Sequence, residues 1–149
     1  MNRFISNLAK GDKTKAIFVK RLVSSWYFII LPFAALISIK IYSSNLIDIL
    51  LVSDWSIASF IIYGQLICQM TANSIGIKAV IDHGLEYYVT KRIVFGLTSN
   101  IIVYILIALN PNYYLGIIQL ILFIFANIRY FSDNLALYDL KKLETVDKR

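Results

Sequence analysis

The apolar residues of this chain come in long unbroken runs rather than in alternation. Leu22–Ile39 is 18 residues without a charge, Trp55–Ile77 is 23, and Ile93–Ile128 is 36. A helix crosses about 30 Å of hydrocarbon with roughly 17–25 apolar residues, so the first two runs predict one span each and the third is too long for one. Asn110-Pro111-Asn112 divides it, because proline lacks a backbone donor and biases the residue before it away from helix. Four spans result, at about 22–41, 55–77, 93–109 and 113–131. Helix is required: the runs lack the period-two pattern of barrel strands, and an open sheet in lipid would leave backbone groups unpaired. Pro32 predicts a kink in the first span. Asp48, in the middle of Asn45–Ser53, favours a short interfacial helix there over a re-entrant loop.

Composition agrees. The chain has 149 residues, 58% hydrophobic and 16% charged, which excludes a disordered chain, and the lone Cys68 excludes a disulfide scaffold. The expected fold class is an all-α integral membrane protein, four transmembrane helices with short helical cytoplasmic extensions, in a single domain. These extensions are an N-terminal arm at 1–21 and a C-terminal helix at 132–149, with Lys78–Arg92 helical between the second and third spans. The first span starts too late, and without a small-residue cleavage site, to read as a removed signal peptide.

Charge sets the orientation. Of the 15 basic residues, 14 fall on one side of a four-span topology and only Lys40 on the other. The positive-inside rule then places both termini in the cytoplasm of a cell with its spans in the inner (plasma) membrane. Lys13, Lys15, Lys20, Arg21, Lys91 and Arg92 belong to this basic inner face, which attracts anionic lipid headgroups and would equally receive a cytosolic nucleotide or oligonucleotide.

Polar residues inside the spans are the candidate chemistry, since they normally face a bundle interior, a subunit or water. At 100° per residue, Ala58, Gln65, Gln69, Ala72, Asn73 and Gly76 share one arc of the second span. Gly116, Gln119, Asn127 and Asn134 do so on the fourth, and Gly96, Asn100 and Tyr104 on the third. Two readings stand for these stripes: seams between helices, or the lining of a pore or subunit interface. Asp48 and Asp54 are the only charges of the first outer loop, and copies arranged about an axis would make them acidic rings at an outer mouth. Equally, Ser53 or Asp54 serves as N-cap to the second span and Trp55 as its interfacial anchor.

On the inner side, Asp82, His83, Glu86, Lys91 and Arg92 form either a solvated helix face or a cluster that couples to pH or a ligand. Arg129 and Asp133, four apart, are spaced to pair. No phosphate-binding glycine loop, paired-histidine motif or nucleophile elbow is present, a single histidine leaves no multi-histidine metal site, and Cys68 reads as packing. The sequence therefore implies no enzyme and no cofactor.

The run Asp54-Trp55-Ser56-Ile57-Ala58-Ser59-Phe60, followed by Tyr63-Gly64-Gln65, resembles a segment of small multi-span membrane effectors of bacterial antiphage defence, including the Hailong-type channel effectors. The resemblance implies a homo-oligomeric, tetrameric channel that depolarises the inner membrane when a nucleotide ligand is lost or gained. A reading from a different class is a non-conducting immunity or phage-exclusion protein whose stripes recognise an incoming pore-former. A third is an accessory subunit of a larger membrane complex.

Overall fold

The computed structural model describes residues 13–42, 48–74 and 84–147. Of these, 96% are helical, which leaves only short connectors between helices. Helix α1 is Lys13–Tyr42, α2 is the single turn Asp48–Leu51, and α3 is Asp54–Ser74. Helix α4 is the continuous stretch Gly84–Leu109, and α5 is Tyr113–Asp147. The four long helices run up and down in turn, so that the start of α1, the end of α3, the start of α4 and the end of α5 share one end of the bundle. That end collects the cations and is called the basic end below.

Local sequence explains the boundaries. Asn110 is extended (φ −148°, ψ 91°), as a residue before proline tends to be, and closes α4. The Asn112 side chain accepts from the Tyr114 backbone amide at 3.0 Å and its carbonyl from Gly116 N at 2.9 Å, which satisfies two donors at the start of α5. At 35 residues, with neither glycine nor proline after Gly116, α5 runs on for about 50 Å at 1.5 Å per residue, well beyond a hydrocarbon thickness. Helix α4 changes character at Ile93–Thr98, a π-helical stretch in which the Thr98 hydroxyl donates to Ile93 O. Gly96 lies inside it and against the Tyr63 ring of α3, where a Cβ would come 2.7 Å from Cδ1.

Among the described residues three helices, α1, α4 and α5, are long and apolar enough to cross a membrane. Helix α3 has the length, 21 residues, but its two glutamines and one asparagine make it less apolar than the others. Its place in the bundle fits that composition: α3 packs most closely on α5 and also meets α1 and α4. The core joins Leu22 and Ile29 of α1, Ile62, Tyr63, Leu66 and Met70 of α3, and Ala126, Tyr130 and Leu137 of α5. The outer surface is apolar, with Phe28, Leu31, Phe95 and Tyr114 all strongly exposed, whereas Asn100, Gln119 and Asn134 are fully buried. Water-soluble domains distribute these residues the other way round.

Candidate functional site

The arc that periodicity draws along α3 passes through several environments. Ala58 is fully buried, Gln65 and Ala72 are exposed, Gln69 and Asn73 are half-buried, and Gly76 lies outside the described residues. The buried residues of α3 are Ser56, Ala58, Ser59, Ile62, Tyr63, Leu66, Met70 and Ser74, so of the predicted arc only Ala58 is among them. Small hydroxyl residues suit a close seam because their side chains fold back onto the helix, as Ser59 does onto Trp55 O at 2.8 Å and Ser74 onto Thr71 O at 2.9 Å. The spacing of Ser56 and Ser59 was a readable sign of this seam, although the amides are the more conspicuous polar residues.

The amides of α4 and α5 each have a definite place. Gln119 donates through Nε2 to Leu50 O at 2.8 Å and Val52 O at 2.7 Å, and its Oε1 accepts from the Ser56 hydroxyl at 3.3 Å. One side chain thus ties α2, its connector and α3 to α5. Trp55 adds an indole hydrogen bond to Ile49 O at 2.8 Å, and Gly116 allows the close approach, since a Cβ there would lie 2.4 Å from Leu50 O. Asn127 accepts from the Trp26 indole at 2.6 Å and donates to Phe123 O, which joins α1 to α5. Asn134 donates to Tyr130 O within α5. Asn100 donates to Gly96 O at 2.7 Å inside the π-helical turn, and its buried Oδ1 has no partner among the described residues.

The charges sort by the same test. Asp133 sits in a seam and pairs with Arg92 of α4 while accepting from the Tyr88 hydroxyl at 2.6 Å. The Arg92 guanidinium also lies over the Tyr88 ring, 4.9 Å from its centroid. Arg129, four residues from Asp133 and spaced to pair with it, is exposed instead: the Asp133 carboxylate is turned into the bundle, where α4 supplies the cation. Lys15 holds Asp139 at 2.7 and 2.9 Å, beside the stacked rings of Phe18 and Tyr138. Arg92 and Lys15 are therefore engaged within the chain, while Lys13, Lys20, Arg21 and Lys91 are exposed at the basic end. At the opposite end Asp54 is half-buried and borders a small apolar depression with Trp55, Phe33 and Lys40, and Asp48 opens α2. Asp82 and His83 lie outside the described residues, Glu86 is exposed, and Cys68 is on the exposed side of α3.

Between α1, α3 and α5, near the basic end, lies an open cavity of about 230 Å³ lined by Phe18, Arg21, Leu22, Ser25, Gln69, Asn73 and Asn134. Among the described residues its lining is mixed, with one cation and no carboxylate. Gln69 donates through Nε2 to the Tyr130 hydroxyl at 3.1 Å, and its Oε1 is buried with no partner among the described residues. The structure brings Arg21, Gln69 and Asn73 together here, and adds Ser25, which its sequence neighbours gave no reason to single out.

No protein-family model, curated protein or solved structure matches the chain. What the site can do therefore rests on its geometry.

Proposed function

We propose that the chain is a four-span membrane protein with its basic end in the cytoplasm, that it assembles with further copies of itself, and that the assembly conducts ions with α3 toward the axis. The observation that carries this reading is Gln65. It stands near the middle of the 21-residue helix α3 and is exposed on the surface of the single bundle. In a lone bundle in lipid that amide would face hydrocarbon, at a cost of a few kcal/mol for its unmet hydrogen bonds. A second copy or a column of water removes the cost, and an uncharged amide lining suits an ion path that does not hold its ion tightly. Helix α3, the least apolar of the four, is the one best placed to leave lipid in this way. Asp54, at the opposite end of α3, would then contribute to an outer mouth.

The resemblance of the Asp54–Phe60 run to antiphage effectors extends the proposal to a depolarising role in bacterial defence, under control of a cytosolic nucleotide-type anion at the basic end. Purification in detergent with mass measurement, followed by flux from liposomes, tests conduction. An oligomer that passes ions, and a Gln65→Leu variant with flux reduced several-fold, are expected. A monomeric particle that passes none refutes the channel.

The second reading, a non-conducting membrane immunity protein, takes the exposed Gln65 as a contact for the helix of an incoming pore-former, whereas Gln119 and Asn127 are engaged within the chain. It predicts cells that are protected and do not leak.

A further inference from the structure

The cavity near the basic end contains more unmet hydrogen-bonding groups than a seam between helices needs. Arg21, Ser25 and Asn73 have no hydrogen-bond or ion-pair partner among the described residues, and all three line it. Gln69, on the same wall, is bonded to the Tyr130 hydroxyl at 3.1 Å, with its Oε1 buried behind the surface of the cavity. At about 230 Å³ the space far exceeds the roughly 10–15 Å³ that a single water needs on the same measure. Among the described residues no carboxylate borders it to compete for the guanidinium.

We propose that this cavity is a binding site for a phosphate ester. Arg21 supplies the charge, through a planar fork of donors that matches two phosphate oxygens. Asn73 and Ser25 supply neutral donors for the remaining oxygens. Phe18 and Leu22 give an apolar wall for the carbon skeleton of the ester. A neutral polyol would leave Arg21 unmet, and bare inorganic phosphate would leave the apolar wall uncovered, so the ligand joins a phosphate to a carbon skeleton.

Two sources offer this chemistry: the glycerol phosphate headgroup of an anionic lipid in the inner leaflet, and a nucleoside monophosphate from the cytosol. The site rests on the four-span topology proposed above, which sets its mouth at the inner interface, but not on conduction.

The test uses the full chain purified in neutral detergent. One arm measures retention of phosphatidylglycerol against phosphatidylcholine by native mass spectrometry, and the other measures AMP binding by equilibrium dialysis. Retention of phosphatidylglycerol over phosphatidylcholine supports a lipid site, and AMP binding supports a soluble ligand. In the arm that binds, Arg21→Ala and Asn73→Leu should each weaken binding by about tenfold or more, the worth of a hydrogen bond to a charged group. Lys20→Ala, at an exposed neighbour outside the lining, should stay within about twofold, since a solvated surface charge contributes little. Ser25→Val reads the same contact should Asn73→Leu fail to fold. Absence of preference in the lipid arm together with no AMP binding overturns the proposal. So does equal weakening by Lys20→Ala and Arg21→Ala with Asn73→Leu without effect, which would mark a diffuse basic surface. Binding is read without flux, so a protein that binds but does not conduct loses only the channel reading.

Discussion

The pairing of Asp133 is the sharpest quantitative test of this bundle. Its side chain is 10% accessible and that of Arg92 is 15%, so both charges are largely withdrawn from water. Asp133→Ala leaves the guanidinium buried without its anion, with Arg92 Nε already lacking a partner among the described residues, and takes the acceptor from the Tyr88 hydroxyl. Removing one partner of a buried pair costs about 3–5 kcal/mol. The pair retains some access to solvent, so the lower end, about 3 kcal/mol, is expected, roughly two orders of magnitude in the folded-to-unfolded ratio. Replacing both charges, as in Arg92→Met/Asp133→Leu, should return to within about 1 kcal/mol of the parent, because an apolar pair needs no compensation. A double-mutant cycle closed with the singles Arg92→Met and Asp133→Leu then yields a coupling of about 2 kcal/mol or more. Arg129→Ala, by contrast, should cost under about 0.5 kcal/mol and add to Asp133→Ala without coupling, as for an exposed residue that touches neither partner. Reversible unfolding in mixed micelles on titration with dodecyl sulfate, followed by the fluorescence of Trp26 and Trp55, measures the parent and every single and double variant. Coupling of Asp133 to Arg129 rather than to Arg92, or a double variant as unstable as the sum of its singles, would refute the assignment.

Two further predictions concern the opposite end. Gln119→Leu removes the donor from both Leu50 O and Val52 O, and should cost about 1–2 kcal/mol in unfolding while hydrogen exchange rises selectively across 49–53. Unchanged exchange there would show that the connector is held by something else. Gly116→Val places a methyl-bearing Cβ into the space of Leu50 O, and overpacking of about 1–3 kcal/mol should appear as a lowered melting temperature. Gly64→Ala, at a position with nothing within 4 Å, serves as the control that stays near the parent.

Several of these features were legible before any fold was known. The turn at Asn110-Pro111-Asn112, the short helix at Asp48–Leu51 and the helical run past residue 131 follow from breakers, a lone charge and the absence of breakers, all local properties. The amide stripe was legible as a stripe but not as a set of environments. Helical periodicity states which residues share a face, and nothing in Gln65, Gln69 and Asn73 themselves states which neighbour that face meets at each level. In a chain so apolar, the usual guide is also weak, because lipid-facing and core-facing surfaces are both hydrophobic and the sequence does not rank them.

The order of breakers and apolar runs alone determined where the helices lie, and the basic residues alone determined which ends belong together. Tertiary structure decided the rest: that Asp133 takes its cation from 41 residues away rather than from four, that Gln119 holds a connector, and that Arg21, Ser25, Gln69 and Asn73 border one cavity. The reason is reach. A breaker or a run of apolar side chains acts within its own turn of helix, whereas the partner of a buried polar group is whichever atom another helix brings within about 3 Å, and that is fixed only when the helices have packed.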